Sequence, residues 1–148
     1  MNKLWLFLGK VGYIITRPGV YAIIRFTRRA YVVVRVDGQI IVTKDWLDSH
    51  RYWRLPGGGV KRSELPKQGA IRELKEEIGV ELPINTLKLV KKGKHPSMKY
   101  RFWVYEAILD KKPIIIMNKF ELLEVSWHST SSIKGLPTVH ELKSYLDK

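Results

Sequence analysis

Between Gly58 and Val80 the chain reads GGVKRSELPKQGAIRELKEEIGV, and this window holds Glu64, Glu73, Glu76 and Glu77, four of the fourteen acidic residues of a 148-residue protein whose formal net charge is +13. The concentration of carboxylates calls for a reason. At 100° per residue, Glu77 lies about 40° and Glu76 about 60° to either side of Glu73, so the three share one helical face. Ile71, Leu74 and Ile78 fall on a separate apolar face. Like charges at such spacing repel by a few tenths of a kcal/mol per pair on an exposed helix, and by more in an enclosed site. Two things could offset the repulsion. Arg72 and Lys75 could lace a solvated helix with ion pairs, or a hard divalent cation such as Mg²⁺ could take carboxylate oxygens as ligands. The glycine run Gly57, Gly58 and Gly59 just upstream favours the second reading. Its backbone can approach a ligand closely and offer carbonyl or N–H groups beside a metal. Carboxylates, a glycine-rich loop and a basic surrounding together suit a phosphorylated substrate, on which a metal bridges oxygens, acidifies bound water and stabilises the leaving group.

The elements that must position these groups can be read from the same sequence. Residues 30–36 form a β-branched strand, Asp37-Gly38 a two-residue hairpin turn, and residues 39–46 the returning strand. Residues 52–55 read as a short strand running into the glycine loop. A helix is expected from Pro66 to Ile78, with proline at its first position and Gly79 ending it in a left-handed conformation. Leu65 stands where a capping residue is expected, and Ser63 is the alternative. Strands are expected over residues 86–92, 99–109, 114–117 and 122–127. A last helix over residues 139–146 should open with a capping box, Thr138 with Glu141. Strands interleaved with helices and no repeat or composition break give one α/β or α+β domain.

The stretch resembles the Nudix box, Gly-x5-Glu-x7-Arg-Glu-U-x-Glu-Glu-x-Gly-U with U a bulky aliphatic residue. Gly58, Glu64, Arg72, Glu73, Leu74, Glu76, Glu77, Gly79 and Val80 fill its fixed positions. The resemblance extends, more loosely, from about Arg29 to Leu146, and the domain is expected over residues 29–148. It implies an α/β/α sandwich around a mixed sheet, and cleavage of a pyrophosphate bond in a nucleoside diphosphate linked to another moiety, with Mg²⁺ or Mn²⁺ as cofactor. It assigns Glu73, Glu76 and Glu77 as metal ligands with a main-chain carbonyl of Gly57 or Gly58. Glu73 is also the group to orient or deprotonate the attacking water, and Arg72 with Glu64 steadies the carboxylates. A further ligand is expected outside the box, at Glu121 first, then Glu124, then Glu106. Lys44, Arg54 and Lys61 are the expected phosphate contacts, alongside the backbone of Gly57 and Gly59. Trp46, Trp53, Trp103 and Trp127 are base-stacking candidates, although an aromatic on a sheet is more often core. The four histidines show no metal spacing.

Residues 1–28 stand outside the resemblance as a hydrophobic, basic arm expected to be helical. Lys3, Lys10 and Arg17 recur every seven residues, and no acidic residue occurs before Asp37. The apolar run is interrupted by Lys10 and reaches only about 21 Å as a helix, short of the roughly 30 Å bilayer core. Two uses stay open: packing on the domain or on a second copy in a homodimer, and lying on an anionic membrane surface. The absence of cysteine excludes disulfides and thiol chemistry, and a cytoplasmic protein, or one held peripherally at a membrane, is the simplest fit. A Nudix-fold module that binds RNA or nucleotides without cleaving them is the competing class, and an RNA 5′-end pyrophosphohydrolase is a variant of the enzyme reading. RNA is an expected partner of both, because the basic excess attracts polyanions.

Overall fold

The computed structural model describes residues 27–46 and 51–147. The arm expected over residues 1–28 lies outside them up to residue 26, together with its membrane and dimer readings. No helix among the described residues is long and apolar enough to cross a membrane.

Six strands form one mixed sheet: β1 (Arg28–Val36), β2 (Gln39–Asp45), β3 (Gly57–Val60), β4 (Lys88–Lys94), β5 (Arg101–Ile108) and β6 (Leu122–Ser129). Their order is β4-β5-β1-β2-β6, with β3 pairing β1 beside β2. Among these described strands, β1 and β5 run parallel and the other pairs are antiparallel. Among the described residues there are three helices: α1 (Pro66–Ile78), α2 (Thr130–Lys134) and α3 (His140–Leu146). Strand β1 is central and apolar on both faces, as a strand covered on both sides must be. Ala30, Val32 and Val34 pack with Ala70, Leu74 and Ile78 of α1. Tyr31 and Val33 face the other way, against Ile133 of α2 and Leu142, Tyr145 and Leu146 of α3. The result is the expected α/β/α sandwich.

The hairpin forms as its sequence demands, with Asp37 at φ 47° and Gly38 at φ 75°. Gly79 ends α1 at φ 69° and donates its N–H to the Lys75 carbonyl. Neither Ser63 nor a side chain at Leu65 caps α1. Gln68 Oε1 instead accepts the Leu65 N–H at 2.9 Å.

Five expectations are corrected. The glycine run is a strand: Gly57, Gly58 and Gly59 pair with Tyr31, Ala30 and Arg29. Residues 52–55 contribute only isolated bridges, Thr43 with Arg54 and Trp53 with Thr138. Strand β4 begins at Lys88 because Ile84–Thr86 winds into a 3₁₀ turn. Residues 114–117 pair with no strand; the Ile116 N–H bonds the Ile78 carbonyl at 2.9 Å and the Asn118 N–H bonds that of Glu77 at 2.8 Å. These bonds satisfy carbonyls that a helix end leaves open. Finally, the Thr138–Glu141 capping box does not form. Glu141 turns into the core, where Tyr100 and, at 3.5 Å, Tyr31 donate hydroxyls to it. Helix α2 has no counterpart in the sequence reading, although Ser129 caps it through the Ser132 N–H.

Candidate active site

Helix α1 packs on β1 and β3, and this docking sets the carboxylates against the glycine strand. Gly57 sits at φ 137°, and a Cβ there would meet the Ala30 carbonyl oxygen at 2.3 Å. Only glycine lets β3 approach β1 this closely. The Gly57 N–H then donates to Glu77 Oε2 at 2.7 Å, and its carbonyl faces Arg54 Nη2 at 3.4 Å. At Gly58 a Cβ would stand 2.6 Å from Glu73 Oε2. The missing side chains of β3 are what allow two helix carboxylates to lie directly on a strand backbone.

Arg72 organises the other side. It grips Glu64 with Nε at 2.7 Å and Nη2 at 3.0 Å, and sends Nη1 to Glu73 at 2.8 Å and to Glu76 at 2.9 Å. Its Nη2 also donates to the Gly59 carbonyl at 2.7 Å. Such a fork fixes carboxylate positions better than an ammonium could. The paired guanidinium holds the Glu64 carboxyl down at about 2. Arg72 is itself pushed up, first by its bond to Glu64.

Glu77 is 5% exposed, and burial pushes its carboxyl up to about 7, with the charges of Glu73 and Glu121 adding to the effect. Arg54 and the Gly57 N–H pull in the other direction. Glu73 is also raised, by burial first, against the pull of Arg72 and with the charges of Glu76 and Glu121 adding to it. Glu73 and Glu77 are thus buried carboxyls that also feel the charges of Glu76 and Glu121, opposed by Arg72 and Arg54. Among the described residues no three Asp, Glu or His side chains stand at metal-holding distance from one another. The donor set nevertheless fits a hard divalent cation. It is made of carboxylate oxygens and backbone carbonyls on one patch, it is deficient in cation at Glu77, and Arg72 supplies one shared positive group between Glu73 and Glu76.

The remaining residues singled out by sequence separate. Glu121 accepts from Asn118 Nδ2 at 2.9 Å and acts electrostatically on both Glu73 and Glu77, which places it with the cluster. Glu124 pairs with Lys44 at 2.9 Å. Glu106 pairs with Arg35 at 3.1 Å and accepts from Tyr145, away from the glycine strand. Lys44 also lies 4.0 Å above the Trp53 ring, so it is held by two partners. Arg54 is buried and ion-paired with Asp45 beneath Gly57 rather than projecting outward. Lys61 is exposed, and its backbone carries the contacts, with its N–H to Glu64 and its carbonyl to Arg28. Trp53 belongs to the core on the α3 side, and Trp103 and Trp127 pack against the core on the α1 side. Trp46 donates to the Lys119 carbonyl at 3.3 Å. Sequence reasoning missed Asp45, the acid that ends β2 just after Thr43 and Lys44.

A carboxylate-bearing helix laid on a glycine strand in an α/β/α sandwich defines a Nudix hydrolase. The family model described as NUDIX domain matches residues 25–147, and the chain belongs to this family. Nudix hydrolases generally use a divalent metal. An RNA pyrophosphohydrolase of Pelagibacter ubique (strain HTCC1062) is 28% identical over 132 residues, covering 78% of this chain and 84% of that protein. One of Brucella abortus (strain 2308) is 29% identical over 94 residues, and the match spans about half of either protein, 53% of each. Among solved structures, a MutT NUDIX hydrolase from Burkholderia pseudomallei superposes with a TM-score of 0.68 at 18% identity, covering 82% of this chain and 95% of that one. That likeness concerns the fold.

Proposed function

We propose that this Nudix hydrolase cleaves a phosphoric anhydride bond in a nucleoside diphosphate derivative, with the 5′-polyphosphate end of RNA as its preferred substrate class. The observation that carries the reading is the seating of Glu77 and Glu73 on the Gly57–Gly58 backbone, with Glu76 and Glu121 beside them. Glu73, Glu76 and Glu77, with Glu121 and a carbonyl of the glycine strand, would hold Mg²⁺ or Mn²⁺. When bound, such an ion supplies positive charge to the phosphate oxygens and acidifies water. The protein's own contribution is positional. Arg72 fixes Glu73 and Glu76 through one guanidinium, and Glu64 anchors that guanidinium from behind. Glu73, raised by burial, is suited to accept the proton of the attacking water as its oxygen bonds to phosphorus and the anhydride P–O bond breaks. Preference for RNA is supported by the net charge of +13, which draws polyanions, and by the names of the two relatives above.

The test is a panel of nucleoside di- and triphosphates, dinucleotides, and triphosphorylated and capped RNA, assayed for phosphate and pyrophosphate release with and without Mg²⁺ or Mn²⁺. Metal-dependent release, highest from RNA, is the expected result. Binding of RNA without release from any substrate would identify a non-catalytic module instead.

A further inference from the structure

The formal net charge of +13 is not spread over the chain. Residues 1–36 and 82–105 together carry thirteen lysines and arginines and no aspartate or glutamate, whereas the remaining residues carry fourteen basic and fourteen acidic side chains. The whole net charge therefore belongs to two stretches far apart in sequence. The fold brings their described parts side by side. Residues 28–36 are β1, and residues 82–105 supply β4 and most of β5, which pairs with β4 on one edge and with β1 on the other.

At the start of β1 the two stretches meet cation to cation. Arg28 is in register with Arg101, and Arg101 with Lys94, so three cations stand in line across three strands. Direct partners share a face of a sheet, and Arg28 shares its face with Ala30, which packs beneath α1. In the next row on that face Gly58, Ala30, Trp103 and Lys92 are partners in turn, and Lys92 lies 5.8 Å above the Trp103 ring. This is the same Gly58 that faces Glu73. Arg28 donates to the carbonyls of Lys61, Arg62 and Glu64, which ties the row of cations to the turn carrying Glu64. Like charges directly opposite one another destabilise a sheet, although lysine on an edge strand also guards against edge pairing. Lys92, Lys94 and Arg101 are exposed, and among the described residues the side chains of Lys94 and Arg101 form no ion pair or hydrogen bond. Residues 1–26, which precede β1 in sequence, contain no acid to supply one.

We infer that this corner of the sheet grips the RNA backbone, with Lys92, Lys94 and Arg101 taking phosphates of the chain downstream of a 5′ end that lies at the carboxylates. The inference rests on the RNA-hydrolase reading above. From β3 across β1 and β5 to β4 is three strand spacings, about 14 Å, the length of roughly four stacked nucleotides. The rows suit a polyanion better than an anionic membrane surface. Ala30 is buried and Val60 and Trp103 are half-buried, so the rows offer no exposed apolar face of the kind that interfacial binding buries.

The test uses full-length protein and two probes, a 5′-triphosphorylated single-stranded oligoribonucleotide and a nucleoside triphosphate. RNA binding is followed by fluorescence anisotropy in EDTA across a salt series. Replacing Lys92, Lys94 and Arg101 together by glutamine should flatten the slope of log K against log salt by about 2, at about 0.7 per phosphate contact on a single strand. At about 0.1 M salt the affinity should fall on the order of 100-fold. KM for the RNA should rise, and kcat/KM for the nucleoside triphosphate should stay unchanged. Lys94→Gln alone should flatten the slope by about 0.7, and this exposed position carries the test if the triple variant fails to fold. Lys111→Gln combined with Lys134→Gln, two exposed lysines outside the acid-free stretches, should leave the slope as it is. An unchanged slope in Lys94→Gln and in the triple variant would overturn the inference. So would an equal loss in the control pair, which would mark net charge rather than place. Intact RNA binding with lost binding to phosphatidylserine vesicles would overturn it in favour of a membrane surface. Failure here is separable from failure of the hydrolase reading. If RNA is cleaved with the same KM by wild type and triple variant, only the interface falls. If no substrate is cleaved yet RNA binding depends on these cations, the interface stands and the hydrolase reading falls.

Discussion

Replacing Glu77 by glutamine should make the metal-free protein more stable at pH 8 while removing its activity. The carboxyl is displaced from 4.5 to about 7 by burial. Between those values the native state keeps a proton that the unfolded chain has released, so stability falls as pH rises through this window. At about 1.4 kcal/mol per pH unit, full ionisation of Glu77 costs the native state about 3 kcal/mol. Glutamine never ionises and can still accept the Gly57 N–H, but its amide N–H₂ needs partners of its own. A net gain of about 1–2 kcal/mol at pH 8, or roughly 3–8 °C in Tm for a domain of this size, is therefore expected. Denaturant melts in EDTA from pH 5 to 8.5 provide the assay. Wild type should lose stability across the window, and the variant should keep only the smaller slope due to Glu73. Adding Mg²⁺ or Mn²⁺ should restore the wild type at pH 8 and help the variant less. A variant as steep in pH as the wild type, or less stable than it at pH 8 without metal, would refute the view of Glu77 as a buried carboxylate short of positive charge.

The same geometry makes further predictions. Glu76→Gln should lower turnover at least 100-fold with the near-UV circular dichroism spectrum retained, since Glu76 is exposed and its loss leaves packing intact. Gly58→Ala should cost under about 1 kcal/mol of stability, because Glu73 can swing away, yet reduce activity at least tenfold; Gly57→Ala collides with backbone and should cost several kcal/mol in a denaturant melt. Glu64, held near 2, contributes stability that is present above about 4.5 and is lost as pH falls toward 2; Arg72→Met should abolish that acid-side slope in a pH series of melts. Arg54→Met should cost about 3–5 kcal/mol by leaving buried Asp45 without its cation, and adding Asp45→Leu should recover most of the loss.

Periodic and local signals in the sequence were enough to place α1, its left-handed Gly79, the Asp37-Gly38 hairpin and the carboxylate face. Each of these depends on spacing within one element or on a residue with few backbone options. What escaped depends on partners distant in sequence. Gly57–Val60 is a strand because β1 supplies hydrogen bonds to a segment that has no side chains to advertise it. Residues 114–117 are rich in isoleucine yet pair with no strand; the end of α1 instead takes the N–H groups of Ile116 and Asn118. Glu141 leaves the helix cap it is spaced for because two tyrosines from β1 and the start of β5 draw it inward. Arg54 reads as a surface cation until Asp45, nine residues earlier, folds beside it.

The parallel pairing of β1 with β5 joins residues 28–35 to residues 101–108. A strand in the middle of the sheet therefore waits for a partner made more than sixty residues later, and such non-local pairing is slow to close. A nascent chain that stops before residue 101 would carry every box glutamate together with β1 and β3, yet would leave one edge of β1 without the partner that β5 later supplies.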